Sequence, residues 1–545
     1  MRGDLGRGWD MLRHSGPGQI SFWFVALLIG VVSGFGAIGF RFAVEQLQAF
    51  LYGTRDVNML ASWAGQLHWL WVLLIPVAGG IAVGLILQRF TPDGRVRSVA
   101  DVIEGAALND GRVERRAGMA SVLCSWITLS TGGSTGREGP VVHMAALAST
   151  WVANRLKVDG ITGRDLLGCA VAAAVSASFN APIAGALFAL EVVLRHFALH
   201  AFAPIVVASA AGTVINRLVY GDVTEFVLPG TTTVEFYLEL PAFFLLGLVC
   251  GVVAVVMMRA IFFADDVETE LQKRLGLPRW ARPAVAGLLL GALAIWFPHI
   301  IGVGYETTSR ALSGQLVLGE AFVFAVIKVV AVSFTMAGRM GGGIFSPSLM
   351  VGALTGLTFG HIATGLAPEM SSAFTLYALA GMGAVAAAVL GAPISTTLIV
   401  FELTGDWQTG LAVMVSVSMS TALASRVVDR SFFLTQLERR KVALAAGPQA
   451  YLLGMFRVKS VMRKPTDENA ADETVCLEMI EKGLYVQLDA TLKTALPRLD
   501  VSGTPFLPVV EMQGSTPVLQ GALFHVDALK AYNRALAATA AEEHS

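Results

Sequence analysis

The residues best suited to chemistry lie in one run, Gly132-Gly133-Ser134-Thr135-Gly136-Arg137-Glu138-Gly139-Pro140, set between two strongly apolar stretches. Glycines let bare backbone N–H groups face a ligand, and a proline suits the opening of a helix, here read over residues 141–155. A helix start carries unpaired donors and partial positive charge, so the run reads as an anion site. Glu138 is the anomaly, because an anionic side chain sits where an anion would bind. A second glycine run, Gly341-Gly342-Gly343-Ile344-Phe345-Ser346-Pro347, offers another helix start of the same kind. Two further carboxylates, Glu191 and Glu402, each stand nine positions after a proline in an apolar run, Pro182 and Pro393.

The elements that must carry these residues are membrane helices. The chain has 545 residues, is 54% hydrophobic and only 14% charged, with a mean hydropathy of +0.64. A soluble fold of that length could not hide so much apolar surface behind so few charges. A net charge of −1 with only short basic clusters gives no reason to expect nucleic acid. The four cysteines are scattered, so neither a disulfide framework nor a zinc site is expected, and no cofactor is called for. No cleavable signal peptide is read: residues 20–40 form a first span and 69–87 a second. Basic residues in the N-terminal tail and in 89–116 point to the cytoplasmic side, with both termini there.

From Gly118 onward many apolar runs fall short of the ~20 residues a full span needs. Residues 119–131, 141–152, 167–179, 182–194 and 376–390 read as pieces of discontinuous helices, tolerable only where they line a cavity or are buried in protein. The order also repeats. A glycine-rich helix start is followed in each half by Ala-Pro-Ile and then a glutamate, at 181–191 and 392–402. Interrupted segments in corresponding positions of two halves point to a transporter's binding site. Residues 229–238 and 265–282 read as polar connections. After Arg430 the composition turns soluble. The expected division is a tail over 1–20, a membrane domain over 21–430, a linker over 431–456 with its boundary near Gly447, a small α/β module over 457–536, and a tail over 537–545.

Gly136-Arg137-Glu138-Gly139-Pro140, Gly342-Gly343-Ile344-Phe345-Ser346-Pro347 and Phe179-Asn180-Ala181-Pro182-Ile183-Ala184-Gly185 together resemble the CLC chloride channels and chloride/proton antiporters. The resemblance spans roughly residues 21–442. It implies an all-α polytopic fold of two inverted-topology repeats of tilted, partly broken helices. It further implies a homodimer in a cell membrane with one chloride path per subunit, protons being the second cargo of coupled members. Glu138 would be the protonatable gate. The anion-binding set carried over is Ser98, Gly136, Arg137, Gly139, Gly343, Ile344, Phe345 and Phe433, with the N–H groups of Ile344 and Phe345 at the central ion. Helix-end dipoles suit that task because they bind an anion weakly enough to release it.

Three departures shape the expectation. The family's Gly-Ser-Gly-Ile-Pro filter is replaced by Arg97-Ser98-Val99-Ala100-Asp101, leaving Ser98 as a hydroxyl ligand or a plain loop serine. Phe433 stands where the family has a tyrosine and cannot donate an O–H. Val192 stands where coupled members carry a relay glutamate; Glu191 is a substitute or a buried structural carboxylate. Anion flow that is channel-like or weakly proton-coupled is therefore expected, with the antiporter as the alternative. The C-terminal module resembles a cystathionine-β-synthase (CBS) domain in degenerate form. Asp527 matches its ribose-binding motif but Phe524 replaces the hydroxyl, which argues against adenine-nucleotide sensing. An intramembrane enzyme using Glu138, His143 or Glu191 is the remote alternative, for no His-Glu-x-x-His or Gly-x-Ser-x-Gly is present.

Overall fold

A computed structural model describes residues 19–197, 199–221, 239–368, 373–442, 444, 453, 456–467, 469–513 and 516–544. The N-terminal basic tail, the connection at 229–238, the boundary at Gly447 and the turn at 514–515 lie outside the described residues. The chain divides into two compact units: Met1–Ala106, Gly111–Arg195 and Ala203–Val442 form the first, and Ala443–Ser545 with the short segments Ala107–Asp110 and His196–Phe202 form the second.

The first unit is helical throughout. Its elements in order are α1 (Gln19–Tyr52), α2 (Leu60–Ala64), α3 (Trp69–Phe90), α4 (Val99–Leu108), α5 (Arg115–Ser130), α6 (Glu138–Leu156), α7 (Gly160–Phe179) and α8 (Pro182–Phe188). They continue with α9 (Leu199–Tyr220), α10 (Leu240–Leu275), α11 (Ala281–Trp296), α12 (Tyr305–Leu312), α13 (Leu318–Ala337), α14 (Phe345–Leu366) and α15 (Phe374–Leu390). The last three are α16 (Pro393–Thr404), α17 (Trp407–Val427) and α18 (Phe432–Arg439). Seven helical stretches among the described residues are long and apolar enough to cross a bilayer, and Pro182–Leu194, Ala281–Trp296, Phe374–Leu390 and Pro393–Thr404 are shorter apolar helices.

Burial follows from composition. In α15 every residue from 375 to 390 is buried, as expected of a helix that is apolar on all sides. Small residues make this possible: Gly352 and Gly356 of α14 lie directly against the α15 backbone at Gly381 and Tyr377, the close approach that drives helix association in lipid. The start of α7 is set by Asp159, whose carboxylate accepts from Thr162 N at 2.9 Å. The polar stretch after 265 is not a loose connection. It continues α10 to Leu275, where Gly276 at φ +64° ends the helix.

The repeat is visible as geometry. Asn180 and Gly391 occupy equivalent left-handed C-caps before each Ala-Pro-Ile start. Glu402 accepts from Ile183 N (2.9 Å) and Ala184 N (2.8 Å), so it caps α8. Glu191 accepts from Ile394 N (2.9 Å) and Ser395 N (2.8 Å), so it caps α16. Each half thus caps the other's helix, the reciprocal pairing that a pseudo-twofold axis produces.

The second unit carries a three-stranded sheet, β1 (Val486–Gln487), β2 (Phe506–Gln513) and β3 (Thr516–Phe524), in the order β1-β2-β3. β1 runs parallel to β2, and β3 antiparallel to it with Phe506 opposite Phe524. Three helices, α19 (Glu473–Glu481), α20 (Leu492–Ser502) and α21 (His525–His544), accompany the sheet. Leu492, Leu499, Leu507, Val509, Leu523 and Ala528 form its core.

Candidate anion pathway and its carboxylate

Both helix starts begin two residues before their first prolines would suggest. Glu138 opens α6 and Phe345 opens α14, with Pro140 and Pro347 each third in the helix. The ring costs nothing there, because the first N–H groups of a helix have no intrahelical partner. Glu138 and Phe345 are therefore equivalent positions in the two halves, as are Gly136 and Gly343.

Those two glycines meet. Gly136 N donates to Gly343 O and Gly343 N donates to Gly136 O, both at 2.7 Å, forming an isolated antiparallel bridge. A Cβ on Gly343 would stand 2.9 Å from Gly139 N, so only glycine permits the approach. Threonines and one serine secure the loops. Thr128 Oγ1 donates to Met340 O (2.5 Å), Thr135 Oγ1 donates to Gly343 O (2.9 Å), and Ser134 N donates to Thr335 Oγ1 (3.1 Å). Gly341 and Gly342 take φ of +102° and +110°, a conformation side chains resist.

Two cavities flank this crossing. The larger, about 850 Å³ of open space, is lined among others by Ser98, Gly139, Gly343, Ile344, Phe433 and Arg339. The smaller, about 370 Å³, is lined by Arg41, Glu45, Gln48, Arg137 and Tyr305 together with apolar residues and Gly304. The chain passes from the small cavity at Arg137 to the large one at Gly139, and buried Glu138 between them lines neither. Its Oε1 accepts from Ser346 Oγ at 2.5 Å and from Tyr305 OH at 3.3 Å, while Oε2 has no hydrogen-bond partner among the described residues.

The remaining predicted residues divide between the two sides. Ser98 precedes α4, where its N–H donates to Asp101 Oδ2 at 2.7 Å. Its Oγ has no partner among the described residues, and the residue lines the large cavity. The N–H groups of Ile344 and Phe345 belong to the unpaired start of α14. The Phe345 ring is buried against Phe179 (4.7 Å) and Phe188 (5.8 Å). Phe433 lies edge-on to Phe432 at 5.9 Å and presents only carbon to the cavity. Arg137 is on the other side: its guanidinium donates to Ser178 O at 3.4 Å and lies 5.1 Å from the Tyr305 ring centre. Val192 is buried in a six-residue π-helical segment, Ala189–Leu194, that continues α8.

Charge on the large cavity is predominantly positive. Arg95, Arg339, Arg439 and Arg440 line it against one acid, Asp265. Arg439 pairs with Asp266, and Arg440 holds Asp101 at 2.8 Å. Arg97, which stands where a filter glycine was expected, is tied to Asp93 at 2.7 Å and Glu114 at 3.2 Å, not to the cavity. Burial pushes the Asp93 carboxyl up, but its bond to Arg97 and that charge outweigh it, holding the group below the usual carboxylate range.

Ser346 and Tyr305 escaped the sequence reading as partners of Glu138. Ser346 was within reach, since it lies inside the second motif at the position equivalent to Gly139. Tyr305 gave no signal, being 167 residues away in a segment without a motif.

A helical membrane unit in which two facing, glycine-bridged helix starts hold a buried carboxylate between two cavities has the parts of an ion pathway. The family model described as voltage gated chloride channel matches residues 79–425, and the chain belongs to the CLC family. A ClcB-like protein of Ralstonia nicotianae is 30% identical over 421 residues, covering 76% of this chain and 96% of that one. Among solved structures, a slow cyanobacterial Cl-/H+ antiporter aligns with a TM-score of 0.67 at 20% identity, covering 77% of this chain and 97% of its own. A eukaryotic CLC transporter aligns at 0.65 and 17% identity, covering 93% of this chain and 97% of its own.

Proposed function

We propose that this protein moves chloride across a cell membrane through a path in each subunit of a homodimer, with Glu138 as a protonatable gate. The observation that carries the reading is the position of Glu138, buried between two cavities at the Gly136–Gly343 crossing. When ionised, the carboxylate competes with an anion for the same helix-end field. When protonated or displaced, it yields the position. The central anion would meet the N–H groups of Ile344 and Phe345, with Ser98 adding a hydroxyl and Gly136, Gly139 and Gly343 giving backbone access. The arginine-lined cavity faces the cytoplasm in this reading and gathers anions by its potential. Arg137 acts at the opposite mouth.

Flow is channel-like or only weakly coupled to protons. Val192 offers no titratable group, and Glu191 is engaged by three donors of α16. The C-terminal unit is a degenerate CBS-like module with a structural role. Its Asp527 is held by Arg463 at 2.6 Å, and that guanidinium lies 4.1 Å from the Phe524 ring centre, which leaves the carboxylate committed away from a ribose.

The test is flux from liposomes. Glu138→Gln mimics the protonated gate and should raise chloride flux at neutral pH several-fold and flatten its rise on acidification. Unchanged flux and pH response would remove the gate. Reversal potentials against separate chloride and proton gradients decide the mechanism: uphill proton movement driven by chloride would establish the antiporter instead.

A further inference from the structure

We infer that Tyr305 is a latch on the Glu138 gate, a positioning residue that sets how readily an anion displaces the carboxylate. The inference rests on the reading of Glu138 as the gate. Tyr305 opens α12 directly after Gly304, whose φ of +92° turns the chain. That turn is anchored from α13, where Lys328, fully buried, donates from Nζ to Ile300 O at 3.2 Å and Gly302 O at 3.1 Å. The phenol ring is covered by the Arg137 guanidinium. Its hydroxyl is thereby held towards Glu138 Oε1, which Ser346 Oγ also reaches.

A phenol and an alcohol that both donate to one carboxylate oxygen favour the ionised form in place, because hydrogen bonds to a charged group are the stronger kind. The gate must break both to leave. A chloride ion competing for the site therefore works against the carboxylate's own electrostatics plus these two bonds. At 3.3 Å the tyrosine bond is the longer, so its removal should weaken the hold about five- to tenfold, a tenfold change being ~1.4 kcal/mol. Under competition this lowers the half-saturating chloride concentration by the same factor, while maximal flux changes little.

The experiment measures chloride flux against chloride concentration in liposomes for the unaltered protein, Tyr305→Phe, Glu138→Gln and the double variant. Phenylalanine keeps the ring beneath Arg137 and removes only the hydroxyl. The latch requires that Tyr305→Phe lower half-saturation in the Glu138 background and have no effect once residue 138 is glutamine. An equal effect in both backgrounds would place Tyr305 in the pore lining and overturn the inference. So would no effect of Tyr305→Phe where Glu138→Gln does raise flux, which leaves the gate intact and the latch absent. If Glu138→Gln itself changes nothing, gate and latch fall together. Ser346→Ala tests the same latch from α14 and should act in the same direction with a larger shift.

Discussion

Glu191 is the residue on which stability and transport give opposite answers, and replacing it separates them. Its Oε1 accepts from Ile394 N at 2.9 Å, and its Oε2 accepts from Ser395 N at 2.8 Å and Ser395 Oγ at 2.6 Å. Alanine would orphan two backbone donors at the start of α16; the serine hydroxyl can turn to another acceptor. Each orphaned donor costs ~1–3 kcal/mol, and loss of a negative charge at a helix start adds ~0.3–1 kcal/mol. Part of the site is exposed, which trims the sum, so Glu191→Ala should destabilise by about 2–4 kcal/mol. Glu191→Gln keeps one acceptor oxygen but turns an NH2 towards the other donor, and should cost about half as much. The assay is the thermal midpoint of the purified protein in detergent, with Glu402→Ala as the control. The mirrored caps of Ile183 and Ala184 predict a loss of the same size there. Chloride and proton flux are read on the same preparations. If Glu191→Gln abolished proton movement at unchanged stability, Glu191 would be a relay, and the capping account would fail.

Two further substitutions follow from the crossing itself. Phe433→Tyr places a donor in the large cavity, where phenylalanine now offers only carbon; chloride binding measured by calorimetry should tighten about three- to tenfold, and an unchanged isotherm would move the anion away from this side chain. Gly343→Ala sets a Cβ 2.9 Å from Gly139 N, across the Gly136 bridge. That contact should cost ~3 kcal/mol or more and show as lost monodisperse yield, since both neighbours are backbone; a well-folded alanine variant would mean the bridge is looser than drawn.

How much of this could be read in advance differs from residue to residue. Glu138 stood out because glycine, proline and charge within a few positions are local signals, whereas Ile344 and Phe345 are marked by the resemblance that their glycine- and proline-bounded motif carries. The duplication was legible for the same reason: Ala-Pro-Ile with a glutamate nine residues later occurs twice. The exact helix start was not, for proline's fitness for a first turn does not say which place it takes, and both helices begin two residues earlier. Reciprocal capping was hidden as well. Sequence shows that Glu191 and Glu402 match, but pairing each with the other half's helix needs the closed three-dimensional fold. Tyr305 was beyond reach because its partner is 167 residues away and nothing beside it marks a turn of special use. Arg97 could be seen to replace a filter glycine, and Asp93 lies only four residues before it, yet its tie to Glu114 at the start of α5 needs the folded chain.

If Glu138 is the gate proposed above, the equivalence of the two helix starts explains how a carboxylate could occupy an anion site without destroying it. Duplication supplies two similar helix ends that meet at Gly136 and Gly343, and symmetry alone would make both of them binders. At the first position of each helix the chain breaks that symmetry, with glutamate in α6 and phenylalanine in α14. It breaks it again one position later, where Gly139 leaves backbone bare and Ser346 provides a hydroxyl aimed back at the glutamate. One half therefore contributes donors and the other a competitor for them. A glutamate at both starts would put two like charges against one bridge, and at neither would leave an ungated hole. In that proposed reading the pair of unlike residues gives a site that an anion can enter only by displacing a charge the protein already holds there, so the hydroxyls around Glu138 would bear on transport as directly as the N–H groups of Ile344 and Phe345.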